Sequence, residues 1–429
     1  MIKKSKVTSV NLESLNNPQK TILMAQNKDQ KTLHVPPLRF TGFTDEWKKI
    51  TLGEIGETMI GLTYSPKDVV ENGGTIVFRS SNIQNGMIDY SDLVRVTKPI
   101  KERIITKEKD ILICARNGSQ RLIGKNTLLR ESDAGNTFGA FMMVYRSDDN
   151  DIIHPLLSTK QYISQVAENL GARINQITTS DLNSFEFFLP QESEEKRKIG
   201  QLFAIINERI ATQNKIIDNL QSLIKGLNDS FHANVQGNAI SFNEIGRSYS
   251  GLSGKSGEDF GQGSPYITYL NVYQNSIVDE KQIDLVSINA NENQNTISYG
   301  DILFTLSSET PNETGIGCVY LGQSGKYYLN SFCFGVSITK INKIYPQYLA
   351  YLVSSSKFRR FVYPLAQGST RFNLHKNDFM KKKFVLPPID KQKEIATVLD
   401  AISNRLYVEC KLNELHKQQK EYLLRKLFI

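Results

Sequence analysis

Phe187-Phe-Leu-Pro-Gln-Glu-Ser-Glu-Glu-Lys-Arg-Lys-Ile199 closes the first half of the chain, and Phe384-Val-Leu-Pro-Pro-Ile-Asp-Lys-Gln-Lys-Glu-Ile395 closes the second. In both, an apolar run meets Leu-Pro and passes into a charged helical stretch. From there apolar residues recur at Ile199, Phe203, Ile206, Ile210, Ile217, Leu220, Ile224, Leu227 and Phe231, with Gln213 in the one polar slot. Steps that alternate four and three form a heptad seam. As a helix, the segment from Glu192 to Phe231 would span about 60 Å. The second copy starts likewise with Ile395, Leu399, Ile402 and Leu406, after which the apolar phase shifts toward Leu412, Leu415, Tyr422, Leu423 and Leu427. A seam needs a partner, and the narrow stripe favours the other copy, packed antiparallel, over each helix packing only on its own domain.

Working outward, the chain is an internal duplication, which dictates its architecture. Glu54-Ile55-Gly56 returns as Glu244-Ile245-Gly246, Asp110-Ile111-Leu112 as Asp301-Ile302-Leu303, and Phe188-Leu189-Pro190 as Val385-Leu386-Pro387. Between these anchors Val77 to Ile83 parallels Tyr266 to Val272, and Leu170 to Ile177 parallels Ala366 to Leu374. Short β-branched and aromatic runs punctuated by Gly, Asn and Ser predict a strand-rich α+β domain in each unit. Strands are expected at Thr75–Phe78, Ile111–Cys114, Phe141–Tyr145, Ile302–Leu306 and Phe332–Ile338, and short helices near Ser158–Glu168 and Gln347–Val362. Residues 1–36 lie outside the repeat and read as a flexible extension.

The 429 residues carry a net charge of +8, compatible with a polyanionic partner without requiring one. No apolar region follows the basic N-terminus and no run of about eighteen apolar residues exists, so neither a signal peptide nor a membrane span is expected. Cys114, Cys318, Cys333 and Cys410 are scattered, which reads as reduced, buried small hydrophobes of a cytoplasmic protein.

Catalytic signatures are missing. Gly254-Lys255-Ser256 has the tail of a phosphate-binding loop, but Tyr249 stands where its first glycine belongs. Phe260-Gly261-Gln262-Gly263 reads as a turn. His34, His154, His232, His375 and His416 have no metal-ligand spacing, and no nucleophile elbow is present. No metal site and no catalytic residue are therefore expected.

The opening Val35-Pro-Pro-Leu-Arg-Phe-Thr-Gly-Phe-Thr-Asp-Glu-Trp47-Lys-Lys-Ile-Thr-Leu-Gly-Glu-Ile55, the two Leu-Pro junctions and the half-repeat resemble the specificity subunits of Type I restriction-modification systems, over residues 37–429. The first half departs in carrying Gly171-Ala172-Arg173 where Gly-Ser-Thr-Arg is usual. The resemblance implies an α+β chain with target-recognition domains at 37–190 and 236–386, each reading one half of a split, asymmetric DNA site. Long antiparallel helices at 191–235 and 387–429 would form a coiled-coil-like spacer. They would also dock two adenine-N6 methyltransferase (modification) subunits, with two restriction (motor-nuclease) subunits joining. S-adenosylmethionine, ATP and Mg would belong to those partners. This chain would be non-catalytic and bind no cofactor.

Base reading calls for Arg toward guanine, Asn or Gln toward adenine, and Ser or Thr as versatile partners. In the first half those types gather at Thr63, Tyr64, Ser65, Lys67, Arg79, Ser80, Ser81, Asn82, Arg116, Asn117, Ser119, Gln120, Arg173, Asn175 and Gln176. In the second half they gather at Ser253, Lys255, Ser256, Tyr269, Asn271, Ser307, Ser308, Thr370, Arg371 and Asn373. For each the competing role is a solvated turn. Arg173 and Arg371 occupy equivalent places and could instead hold the scaffold or a phosphate. The alternatives to a DNA reader are a scaffold that recruits proteins through the seam, and a self-sufficient enzyme, which the missing motifs disfavour.

Overall fold

A computed structural model describes residues 34–172, 175–322 and 325–429. By their internal packing these fall into two units: unit 1 up to Ile205 together with Lys420–Ile429, and unit 2 from Ile206 to Gln419.

Unit 1 opens with β1 (Lys48–Thr51), a single helical turn α1 (Leu52–Ile55) and β2 (Glu57–Ile60). Its central sheet adds β3 (Ile111–Cys114), β4 (Asn126–Leu128) and β5 (Met142–Arg146), in the order β2-β5-β3-β4, all antiparallel. The closing strand β6 (Glu186–Leu189) returns to pair with β1, and the long helix α2 (Ser193–Asn234) follows it.

Unit 2 repeats this. Strands β7 (Asn238–Ser241) and β8 (Gly246–Ser250) flank the turn α3 (Phe242–Ile245). The central sheet runs β8-β11-β9-β10, with β9 at Ile302–Thr305, β10 at Gly317–Val319 and β11 at Cys333–Ile338. Strand β12 (Lys383–Leu386) pairs back with β7 and leads into the terminal helix α4 (Ile389–Leu427). Strand order, pairing sense and register coincide: Met142 faces Cys114 in one unit as Cys333 faces Thr305 in the other.

The anchor motifs of the duplication have structural jobs. Glu54 and Glu244 accept the backbone N–H groups of Thr51 and Ser241, 2.9 and 2.7 Å away, and so cap the turns α1 and α3. The carboxylate of Asp110 is gripped by the Arg146 fork at 2.6 and 2.7 Å, whereas that of Asp301 accepts the Tyr249 hydroxyl at 2.7 Å. Burial pushes the Asp301 carboxyl above its usual value and the Tyr249 hydroxyl likewise upward.

The continuous apolar strands are explained by cores on both faces. In β3, Ile111 and Ile113 turn to a core shared with Trp47, Phe187, Ile199 and Phe203, while Leu112 and Cys114 turn to a second core with Val77, Phe78 and Phe138. Successive side chains of a strand point to opposite faces, so a two-sided burial demands apolar residues at every position. In β9, Ile302 and Phe304 likewise face Tyr348, Phe379 and Leu399, and Leu303 faces Ile267, Leu329 and Cys333. The second core of each unit is covered by another sheet, built around Thr75–Phe78 in unit 1 and Phe260–Ile267 in unit 2.

Expected strands fall within one residue of those observed, and the expected helices appear at Lys160–Ala172, Pro346–Ser354 and Ser356–Val362. Cys114, Cys318 and Cys333 are buried free thiols, and burial pushes that of Cys318 up to about 12. Cys410 departs from expectation: it lies exposed on α4. Of the N-terminal extension, residues 1–33 lie outside the described residues, while the His34 ring stacks on Phe188 at 4.4 Å. No described helix is long and apolar enough to cross a membrane.

Candidate nucleic-acid interface

In unit 1 the chain leaving β3 is tied to the chain entering β5. Ala115 and Arg116 both donate their backbone N–H groups to the carbonyl oxygen of Phe141, at 2.9 and 3.0 Å. Arg116 also forms a bridge with Gln176. The Asn117 amide donates to the Ser80 hydroxyl at 3.1 Å, and its oxygen accepts the Ser119 N–H at 3.0 Å. Asn175 adopts φ +55°, a left-handed conformation that asparagine tolerates. Ser80, Arg116, Asn117, Ser119, Asn175 and Gln176 are therefore one connected loop cluster. The exposed Arg116 guanidinium lies 5.4 Å from the centre of the Phe141 ring.

Unit 2 builds the same edge with different residues. Leu306 donates to the Phe332 carbonyl at 2.8 Å, Ser307 pairs with Asn373, and Ser308 with Phe372. The Tyr269 hydroxyl donates to the Ser307 carbonyl at 2.8 Å, and its ring stacks on Tyr273. Glu313 gathers the hydroxyls of Tyr273, Thr310 and Ser308, and the Tyr273 bond leads in holding its carboxyl below the usual range. Arg371 is exposed beside Thr370, 5.6 Å from the Phe332 ring centre.

Several residues expected to meet DNA make contacts within the scaffold. Asn82 and Asn271, at matching positions of the repeat, are fully buried. Each donates its amide to two backbone carbonyls, of Asp89 and Asp92 in unit 1 and of Asp279 and Gln282 in unit 2. The Lys255 side chain is buried and ion-paired with Glu292 at 2.6 Å, a contact that leads in pulling the Glu292 carboxyl down to about 2. Ser307 is buried in its strand pairing. Arg79 is held by Asp92 at 2.7 Å, and Ser65 and Ser256 bond to Asp68 and Asp259 within their own turns. Tyr64 packs against the second core of unit 1. Thr63, Lys67, Ser81, Gln120 and Ser253 are exposed. Arg173 lies outside the described residues. Among the described residues no group of three His, Cys, Asp or Glu side chains could hold a metal ion.

Phe141 and Phe332 were missed from sequence, because each begins what reads as a buried strand. They are instead 61% and 54% exposed, one residue before the strand turns inward.

Along the seam, Ile199 and Phe203 of unit 1 are buried, and Phe203 stacks on Phe428 with ring centres 5.8 Å apart. In unit 2, Ile206 is buried and Ile210, Ile217, Leu220, Ile224 and Leu227 are half-buried. Opposite them stand Ile395 and Leu399, buried, with Ile402 and Leu406 half-buried. Leu227 packs into the core that holds Ile395 and Leu399, while Gln213 meets Glu409 and Asn214 meets Asn413 at 2.7 Å, so the two helices run antiparallel here. The expected shift of phase in α4 toward Leu412, Leu415 and Tyr422 does not occur, while Leu423 and Leu427, also expected inward, do pack on the core of unit 1. The inward positions continue in the same heptad as Glu409 and Asn413, both buried, whereas Leu412 and Leu415 are exposed. Polar residues in the a and d slots disguise the seam from an apolar count.

The profile described as the Type I restriction modification DNA specificity domain matches residues 44–222 and 232–417. The EcoKI specificity subunit of Escherichia coli K12 is 23% identical over 382 residues, covering 81% of this chain and 80% of its own. The StySPI specificity subunit of Salmonella potsdam is 24% identical over 383 residues, with the same coverage. The crystal structure of a Type I restriction-modification S subunit from M. genitalium shares the fold, with a TM-score of 0.57 at 16% identity over 92% of this chain and 99% of that one. With both halves matched, the chain belongs to the Type I restriction-modification DNA specificity family.

Proposed function

We propose that each unit of this chain reads one half of a split, asymmetric DNA target. As a member of its family the chain is a non-catalytic, sequence-recognising subunit of a Type I restriction-modification complex. The observation that carries the finer reading is the repeated sheet whose one edge carries unlike loops: Arg116, Asn117, Ser119 and Gln120 in unit 1, Ser308, Thr370, Arg371 and Asn373 in unit 2. An unchanged scaffold with altered readers is what two different half-sites require. Segments 37–190 and 236–386 are the recognition domains in this reading.

Helices α2 and α4 act as the ruler between half-sites, whose centres on one face of B-DNA lie about 34 Å apart or a multiple of it. They also dock two methyltransferase subunits. Val408, Leu412 and Leu415 of α4 form an exposed apolar row at steps of four and three, a partner surface of the helix-in-groove kind. Two restriction subunits join that core, and S-adenosylmethionine, ATP and Mg are bound by the partners. Genome-wide adenine-methylation sequencing tests this, in a strain expressing the chain with its methyltransferase against one lacking the chain. A split motif present only with the chain is expected. An active methyltransferase that gains no motif would move the reading to a protein-recruiting scaffold.

A further inference from the structure

Phe141 and Phe332 are equivalent residues in the strictest sense the duplication offers. Each immediately precedes the central strand, each carbonyl accepts a backbone N–H from the residue following the neighbouring strand, and each ring stands out in solvent. A lone exposed phenylalanine is ordinary. Two at one register are not, on an edge where almost nothing else matches.

The cation beside each ring sharpens the point. In unit 1 it is Arg116, the second residue after β3. The equivalent position in unit 2 is Ser307, which is buried, and the guanidinium is supplied instead by Arg371 from a different loop. The aromatic is shared and the arginine is re-supplied from elsewhere, so the pair is the unit of function. Around it the side chains change at matching register, Asn117 to Ser308 and Gln176 to Asn373, as base readers for different sequences would.

We infer that each Phe–Arg pair is a wedge and clamp on duplex DNA, with the ring entering at a base step and the guanidinium moving from the ring to the adjacent phosphate. This rests on the reading of each unit as a DNA reader. An element common to both units cannot distinguish two unlike half-sites. It must engage what every duplex offers, which is stacked bases and charged backbone. Phenylalanine has no hydrogen-bonding group and makes only stacking or apolar contact, and an arginine held over the ring is aimed at the same spot.

The test uses the full chain with its modification subunits and duplexes carrying 2-aminopurine at successive steps of each half-site. The wild-type complex should raise fluorescence at one step per half-site through unstacking. Phe141→Ala should abolish the rise in its own half-site only, and weaken cognate and scrambled duplexes alike by about tenfold. Phe141→Leu, an apolar wedge of smaller size, should retain part of the signal. Arg116→Ala should lower the salt slope by about one while leaving the ratio of cognate to scrambled binding unchanged. Loss confined to the cognate duplex would make Phe141 a base reader and overturn the wedge, as would wild-type affinity and fluorescence in Phe141→Ala. Both of those outcomes leave DNA reading intact, whereas a wild-type complex that prefers no sequence would remove the DNA reading and the wedge with it. Because the ring projects from both cores, its truncation leaves the fold in place to be tested.

Discussion

The side-chain amide of Gln213 donates to the carboxylate of Glu409, and both side chains are buried between the antiparallel stretches of α2 and α4 in unit 2. Arg405 pairs with the same carboxylate from the exposed side. Removing one partner strands a buried polar group, whereas replacing both with apolar residues restores a dry seam. Gln213→Ala should therefore destabilise the chain by about 1–3 kcal/mol. The double variant Gln213→Leu/Glu409→Leu should match or exceed wild type. Thermal unfolding of the two variants beside wild type decides this, and a double variant weaker than Gln213→Ala would contradict it.

In unit 1, Arg39 grips Glu195 through Nε and Nη2 at 2.6 and 2.8 Å, and Glu195 is almost fully buried. The bond raises the Arg39 guanidinium above its usual value, which keeps it charged. Arg39→Ala leaves an unpaired buried carboxylate and should cost about 3–5 kcal/mol. Arg39→Lys should recover only part, since a point charge cannot fill both arms of the fork. Urea unfolding monitored at unit 1 measures both.

Glu292 gives unit 2 a defined acid sensitivity. Its carboxyl lies at about 2 in the folded chain against 4.5 for the free group, chiefly through Lys255. A carboxyl depressed on folding stabilises above its unfolded value, and that stability is lost as pH falls from about 4.5 toward 2. The difference in melting temperature between wild type and Glu292→Gln should be full at pH 6 and should shrink across that window. A difference independent of pH would assign the effect to packing.

Arg371→Ala should weaken binding through one half-site and lower the salt slope by about one, with the ratio of cognate to scrambled affinity unchanged. Arg116→Ala should act on the other half-site. Methylation sequencing of the two variants should return the wild-type motif at reduced occupancy, and a motif relaxed at one half would make that arginine a base reader.

Paired seven-residue insertions after Leu220 and after Leu406 preserve the heptad and lengthen the helices by about 10 Å. The modified motif should keep both half-sites and change its spacer. An unaltered spacer would refute the ruler.

The duplication and the start of the seam were legible in sequence because they rest on backbone demands. Capping glutamates, two-sided strands and Leu-Pro junctions cannot vary freely, so Glu54 and Glu244 or Ile111 and Ile302 keep their places. The middle of α4 escapes an apolar count because Glu409 and Asn413 occupy inward slots while Leu412 and Leu415 face out; Leu423 and Leu427 beyond it turn inward as expected. The loops were harder still. Lys255, Asn82 and Asn271 have the chemistry of base readers, and only burial shows that they are spent within the scaffold. Phe141 and Phe332 have the chemistry of core residues, and only exposure shows otherwise.

The side-chain amides of the buried asparagines at 82 and 271 donate only to main-chain oxygens, at Asp89 and Asp92 or Asp279 and Gln282. A clasp that grips backbone is blind to the side chains it encloses. The exposed residues between its jaws, such as Gln84 or Ser276, can be exchanged without loosening the grip, so these positions can drift through many chemistries while the path stays constant. A chain built this way can acquire a new preference by point changes in a held loop, with no refolding of the sheet beneath it.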